Sequence, residues 1–292
     1  MPAPDSASPQ HLAPLALRGQ RIIVTRPSPD AERWVAQLRE RGLHAEALPL
    51  LEITGADDPA PLQAAWNRLS DFAALMFVSG NAVKHFFAAR PAYATALPEQ
   101  LRLMAPGPGT ARVLQAQGVP LAQIDTPAKE ASQFDSEALW QVVGARAWAG
   151  RRVLMVRGQS GAAVDAAAPG RQWLTAQFQA AGAVVDFVVV YQRRVPHFSA
   201  EQLQRMQDSR HDGSLWLLSS AEGLDSLPRL PTGDWSHARA IATHPRIAEA
   251  ARAAGWGVVI ESRPSVDDIV ASIDSLNPRA TFPPPQTLQL RP

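Results

Sequence analysis

Arg152-Val-Leu-Met-Val-Arg157, the helical run Gln172–Ala181, Gly182, and then Val184-Val-Asp-Phe-Val-Val-Val-Tyr-Gln192 decide the fold class. The two outer runs are nearly continuous in apolar residues and the second is rich in valine, the pattern of strands buried on both faces. The segment between them has helical spacing and stops at a glycine, the residue that best closes a helix. Strand, helix and strand in that order imply a parallel sheet with helices packed on it.

The same alternation runs outward in both directions. Arg21–Thr25 reads as a strand and Asp30–Arg41 as a helix, with Trp34, Val35 and Leu38 on one face and Gly42 at its end. Leu75–Ser79 precedes helix Asn81–Ala89, and Arg102–Ala105 precedes helix Thr110–Gln117, stopped by Gly118. Beyond Gln192 come helix Glu201–Gln207, strand Leu215–Ser219 and a short helix Glu222–Leu227. Strand Ala238–Thr243, helix Pro245–Ala254 with Gly255, strand Val258–Glu261 and helix Val266–Ile273 complete the series. The pattern also repeats weakly. Gly19–Pro27 resembles Gly150–Gly158, Phe77–Gly80 resembles Leu217–Ser220, and Met104–Pro108 resembles Ile241–Pro245. Three matches in the same order favour two similar lobes over one large sheet.

A chain of 292 residues suits two domains of roughly 100–150 residues. With 46% apolar and 19% charged residues it is globular, and a formal net charge of +1 argues against a general nucleic-acid binder. The absence of cysteine excludes disulfides, thiolate nucleophiles and iron–sulfur ligation. The seven histidines are scattered, with no His-Glu-x-x-His, so neither a metal nor an organic cofactor is expected. No apolar run approaches the ~20 residues that span a bilayer. The first 17 residues lack a basic region before their apolar part, so they read as a tail and not a signal peptide. Residues 277–292, with Pro283–Pro285, read as a second tail. The expected location is the cytoplasm.

Familiar catalytic and phosphate motifs fail on inspection. Gly107-Pro-Gly-Thr-Ala-Arg112 starts like a dinucleotide fingerprint but has Arg112 where the third glycine belongs. No Gly-Lys-Ser/Thr occurs, and Gly158-Gln-Ser160-Gly161 is not a nucleophile elbow. Four strand-to-helix turns are the better candidates: Ser79-Gly80-Asn81, Pro106–Thr110 with Gly107, Ser219–Gly223 with Ser220, and Thr243-His244-Pro245. In open α/β sheets ligands lie outside the carboxyl ends of the strands, where helix amino termini favour anions. Ordinary helix capping explains any one such turn; four together favour anion binding.

Several pieces, taken in order, resemble the uroporphyrinogen-III synthase family. They are Thr25-Arg26-Pro27, Pro49–Ile53, Phe77–Val83, Val156-Arg157-Gly158, Val190-Tyr191, Ser219–Leu224 and Ala242–Ala248. The likeness covers about residues 19–275. It implies two flavodoxin-like parallel-sheet lobes joined by a two-stranded antiparallel ladder. The outgoing ladder strand would be about Ala47–Thr54 and the returning one about Val188–Val195. Lobe one would comprise residues 18–50 and 193–276, and lobe two residues 53–187, moving as rigid bodies about the ladder.

The resemblance also implies a substrate, the linear tetrapyrrole hydroxymethylbilane, with carboxylate side chains on every ring. Ring closure would expel its terminal hydroxyl as water and invert ring D. A polyanion of this kind suits many backbone donors, with Arg26 and Arg157 at matching strand ends adding charge-assisted contacts. Handover from hydroxymethylbilane synthase to a monomeric enzyme is implied too. Tyr191 follows the apolar run Phe187–Val190 and is expected to emerge at the mouth of the cleft. The tyrosine at this place in the family is the usual candidate for assisting departure of the hydroxyl. The rival reading is a non-catalytic two-lobed protein that binds or senses small anions.

Overall fold

The computed structural model describes residues 20–128, 134–160, 169–224, 227 and 233–276. Both expected tails lie outside that range. In chain order the elements are β1 (Arg21–Val24), α1 (Asp30–Glu40), β2 (His44–Ala47), β3 (Glu52–Gly55), α2 (Ala60–Asn67), β4 (Ala74–Phe77) and α3 (Gly80–Ala88). They continue with β5 (Arg102–Met104), α4 (Pro108–Ala116), β6 (Ile124–Asp125), α5 (Ser136–Val143), β7 (Arg152–Ser160), α6 (Pro169–Ala180) and β8 (Val184–Arg194). The last third holds α7 (Ala200–Asp208), β9 (Leu215–Leu218), α8 (Ala221–Leu224), β10 (Arg239–Ala242), α9 (Pro245–Ala253), β11 (Val258–Glu261) and α10 (Val266–Ser275).

The strands form a five-stranded sheet, β11-β10-β9-β1-β2, and a six-stranded sheet, β3-β8-β7-β4-β5-β6. Each neighbouring pair in the first sheet is parallel, as are β8-β7-β4-β5-β6 in the second. The antiparallel pair is β3 with β8, as the family resemblance implies. The chain divides into two compact units, one of residues up to Glu52 and from Val195 onward, the other Ile53–Arg194.

Side-chain alternation along a strand explains why both faces of each sheet are covered. Ile22 and Val24 of β1 pack with Trp34 and Leu38 of α1 and Ile269 of α10, while Ile23 packs with Trp216 and with Ala248 of α9. In the other unit Leu75 and Phe77 of β4 meet Phe86 of α3, and Ala74 and Met76 meet Leu139 of α5 and Phe178 of α6. β4 and β9 are buried along their whole length, which is why they read as unbroken apolar runs. Helix α1 buries Ala31, Trp34, Val35 and Leu38 and is followed by Gly42 at φ 77°, a left-handed conformation that glycine adopts without a Cβ penalty.

The outgoing ladder strand is shorter than expected. Ala47–Thr54 is not one strand: β2 ends at Ala47 in the five-stranded sheet, and β3 begins at Glu52 in the six-stranded one. Leu48, Leu50 and Leu51 between them are buried, and the Leu48 and Leu50 amides still donate to the carbonyls of Val24 and Thr25, so the segment runs on beside β1 rather than joining the other sheet. The returning strand, expected at about Val188–Val195, is the end of β8, which lies beside β3 and pairs with β7 from Val184 through Arg193. Trp66 and Trp140, which read as residues of helical stretches, lie in α2 and α5; the two-residue strand β6 is not among the expected elements.

Candidate functional site

Each sheet has one place where strand order reverses, and there the carboxyl ends of adjacent strands open a crevice. In the five-stranded sheet it lies between β1 and β9, in the six-stranded sheet between β4 and β7. These two points collect Thr25, Arg26, Pro27, Ser219 and Ser220 in one unit, and Ser79, Gly80, Asn81, Arg157 and Gly158 in the other. Thr243 and His244 follow β10, and Gly107 and Thr110 follow β5.

In the first unit much of the predicted polarity serves the fold. Thr25 Oγ1 donates to the Leu217 carbonyl at 2.7 Å, and Thr243 Oγ1 donates to the Leu218 carbonyl at 3.3 Å. Both hydroxyls are buried against β9. His244 caps α9, its Nδ1 accepting from the Arg246 amide at 3.1 Å. Ser220 Oγ accepts from the Gly223 amide. Gly223 is buried; a β-carbon there would come within 3.2 Å of Leu50, so its small size lets α8 approach the Leu48–Leu51 segment. The Arg26 guanidinium lies 4.2 Å over the Trp34 ring and 3.9 Å from Asp30. Burial pulls its pKa down, and Asp30 works the other way.

The second unit holds the denser arrangement. Ser79 caps α3, Oγ accepting from the Ala82 amide, and lies 3.2 Å from the Tyr191 hydroxyl. Arg193 donates to that hydroxyl at 3.0 Å and to Ser160 Oγ at 3.2 Å. With Arg193 donating to the phenol oxygen, the phenol's own proton is left for Ser79 or for a group arriving beside it. The His85 ring stacks on Tyr191 at 5.5 Å, and burial, then Lys84, lower its pKa, so it is neutral at pH 7. Gly158 faces Tyr191 across the β7–β8 pair, at the register shift after Arg157. The Arg157 guanidinium lies 5.1 Å over the Phe187 ring.

The expectation that Tyr191 emerges at the mouth of a cleft is corrected: its side chain does not emerge. The residue is 1% exposed and belongs to the core containing Phe77, Phe86 and Val188. It sits between Val190 and the ladder end of β8, where its ring fills the space left by Gly158. Gly107 is the N-cap of α4, which begins at Pro108 and, unlike α3, has no side-chain acceptor on its first-turn amides. Arg193 carried a readable signal, two residues beyond Tyr191 on the same face of a strand. His85 carried none. Among the described residues no group of three or more acidic or histidine side chains is placed to hold a metal, and no helix is long and apolar enough to cross a membrane.

A family model described as uroporphyrinogen-III synthase HemD matches residues 32–271. The chain belongs to the uroporphyrinogen-III synthase family. Relatives of that name come from Salmonella typhimurium, 29% identical over 80% of this chain and 92% of the relative, and from Synechococcus elongatus, 30% identical over 63% of this chain and 65% of the relative. The Escherichia coli protein is 29% identical over the same shares as the Salmonella one. Solved synthases from Thermus thermophilus (a mutant form) and Helicobacter pylori share the fold, each with a TM-score of 0.54. They are 14% and 15% identical and cover 88% of this chain and 98% and 99% of their own. Action on a polycarboxylate tetrapyrrole is the known role of this family.

Proposed function

We propose that this chain is a uroporphyrinogen-III synthase, a lyase that expels water from hydroxymethylbilane and closes the macrocycle with ring D inverted. The observation that carries the reading is the family match across residues 32–271, which includes Tyr191 and the strands β4, β7 and β9 that flank the strand-reversal points. The substrate carboxylates are held by backbone N–H groups in the turns Ser79–Asn81, Gly107–Thr110 (Pro108 excepted) and Ser219–Gly223 and at His244, helped by Arg26 and Arg157. The buried Tyr191 donates to Ser79, and the half-buried Ser79 presents a hydroxyl to the departing oxygen. The leaving hydroxyl takes a proton relayed through Ser79 and departs as water. The azafulvene cation left behind is attacked by the substituted α-carbon of ring D, not by its free one, and the spirocyclic intermediate so formed breaks its older bond to ring D and recloses at the free α-carbon. Loss of one proton there completes the macrocycle with ring D inverted. Geometry dominates over acid strength, because the same hydroxyl also leaves without an enzyme.

The protein works as a cytoplasmic monomer, without metal or organic cofactor, and receives its substrate from hydroxymethylbilane synthase. Fresh hydroxymethylbilane supplied to the purified chain, followed by oxidation and chromatography, should give isomer III in excess. A product ratio equal to that of the spontaneous isomer I reaction would refute the assignment, and tight binding of the substrate without conversion would replace it with the sensor reading. Activity should survive exhaustive dialysis against a chelator; its loss, with restoration by an added metal, would remove the cofactor-free part.

A further inference from the structure

We propose that the amino-terminal edge of the six-stranded sheet carries a second anion site, built for a dianionic phosphate group. A cavity of about 280 Å³ opens there, lined by Gln100, Arg102, Arg146, Trp148 and Arg151 among others, with no carboxylate in its lining. Arg102 is the first residue of β5, Arg151 immediately precedes β7, and Arg146 follows α5. The residues proposed for cyclisation, Ser79, Gly107 and Gly158, lie at or beyond the other ends of β4, β5 and β7. The two sites are therefore separated by the length of the strands.

The charge of this cavity is held in place by an acid behind it. Asp125 is 4% exposed and receives four N–H groups, Nε and one terminal nitrogen of Arg102 and both terminal nitrogens of Arg146. Burial alone would raise the Asp125 pKa; the hydrogen bonds and charges of Arg146 and Arg102 outweigh it and hold it low. One carboxylate thus anchors two guanidiniums and neutralises only one. Arg151 adds a third, and among the described residues its side chain has neither an ion pair nor a hydrogen bond. The neighbouring Arg152 is already paired with Asp186 at 2.6 Å and adds nothing.

Three guanidiniums against one carboxylate leave two positive charges around an open cavity. They come from three separate segments, so they approach a ligand from different sides. A tetrahedral oxyanion accepts from several sides: Arg151 offers a whole fork, and Arg102 and Arg146 offer the N–H groups that Asp125 and the Ala122 carbonyl leave over. A planar carboxylate takes one fork and leaves the rest unpaired. Gln100 adds an amide that hydrogen-bonds without changing the charge. The phosphate is either the free ion or the phosphoryl group of a small metabolite.

The test is calorimetric titration of the full chain at fixed ionic strength with inorganic phosphate, with glycerol 3-phosphate and with citrate. One molecule should bind per chain, at least tenfold more weakly in Arg151→Gln and in Arg146→Lys, and unchanged in Arg157→Gln. Arg151 is exposed, so its variant should melt like the parent; Arg146→Lys keeps a charge beside Asp125 while removing the guanidinium N–H groups that Asp125 does not use. Tighter binding of the ester than of inorganic phosphate identifies a phosphorylated metabolite, and the reverse identifies the free ion. No saturable binding, equal binding by Arg151→Gln, loss in Arg157→Gln instead, or citrate binding as tight as phosphate would each overturn the proposal. None of these readouts depends on cyclisation, so the site stands or falls apart from the assigned activity.

Discussion

Gly158 and Tyr191 stand opposite each other on β7 and β8, and a β-carbon on Gly158 would lie 2.2 Å from Cζ of the Tyr191 ring. The phenol occupies the volume that any other residue at 158 would fill. Ser79, Arg193 and His85 then fix it from the hydroxyl and from the ring face. Gly158→Ala should therefore displace the ring rather than merely crowd it. Overpacking of a tight core costs about 1–3 kcal/mol. The expected result is a lower denaturation midpoint together with at least tenfold slower formation of isomer III. An alanine variant with the parent's midpoint and rate would show that the ring moves without consequence.

Tyr191→Phe isolates the hydroxyl. The ring, its packing on Gly158 and its stacking with His85 remain, so the fold should survive. Acid assistance typically contributes ~10²–10⁴-fold. Less is expected for a group that also leaves unaided, so turnover should fall by roughly 10–100-fold. Tyr93→Phe is the control: Tyr93 is 67% exposed, and its hydroxyl bonds to Asn67 away from the strand-reversal points. Unchanged rate and isomer selectivity in Tyr191→Phe would leave the phenol a packing residue.

Those two experiments rest on different degrees of legibility. The strand–helix alternation could be read because buried parallel strands such as Ala74–Phe77 and Leu215–Leu218 expose no polar face to interrupt the run. The turns after them could be placed for the same reason. The segment Leu48–Leu51 misled because its apolar letters show burial beside a sheet but not which sheet: its amides bond to Val24 and Thr25, not to β8. Strand β6 has two residues, too few for any periodicity. Tyr191 was found, but its burial was not, since nothing near it in sequence shows that Gly158 makes room for it. The contact with Ser79 joins residues 112 apart, and only the β4–β7–β8 order brings them together.

Ser79 serves two roles that a double-mutant cycle can separate. Ser79→Ala removes the cap of α3, which costs about 1 kcal/mol. It also removes the partner of the phenol proton. If the pair acts together, Ser79→Ala and Tyr191→Phe should each slow cyclisation, and the double variant should be little slower than the worse single one. Rate effects that multiply would show the two hydroxyls acting independently. The stability loss from Ser79→Ala should be the same in either background apart from their direct bond.

Asp125 should govern part of the acid limb of stability. Its carboxyl is held below the ordinary aspartate value of 3.8 in the folded chain, despite burial, by Arg146 and Arg102. A group whose folded pKa is depressed binds its proton more readily when unfolded. Its contribution is therefore fully present above the unfolded value and is lost as pH falls through the folded one. Stability measured by urea denaturation should drop from about pH 4 downward, partly through this group. Asp125→Asn removes the titration and also leaves Arg102 and Arg146 without their anion. Breaking a buried ion pair by removing one partner typically costs about 3–5 kcal/mol; here Arg102 and Arg146 are about a third exposed, so the low end or less is expected. The variant should accordingly be less stable at pH 7 and show a flatter decline below pH 4. Equal stability at pH 7, or an acid limb as steep as the parent's, would mean that Asp125 is solvated and that the guanidiniums around it are held by something else.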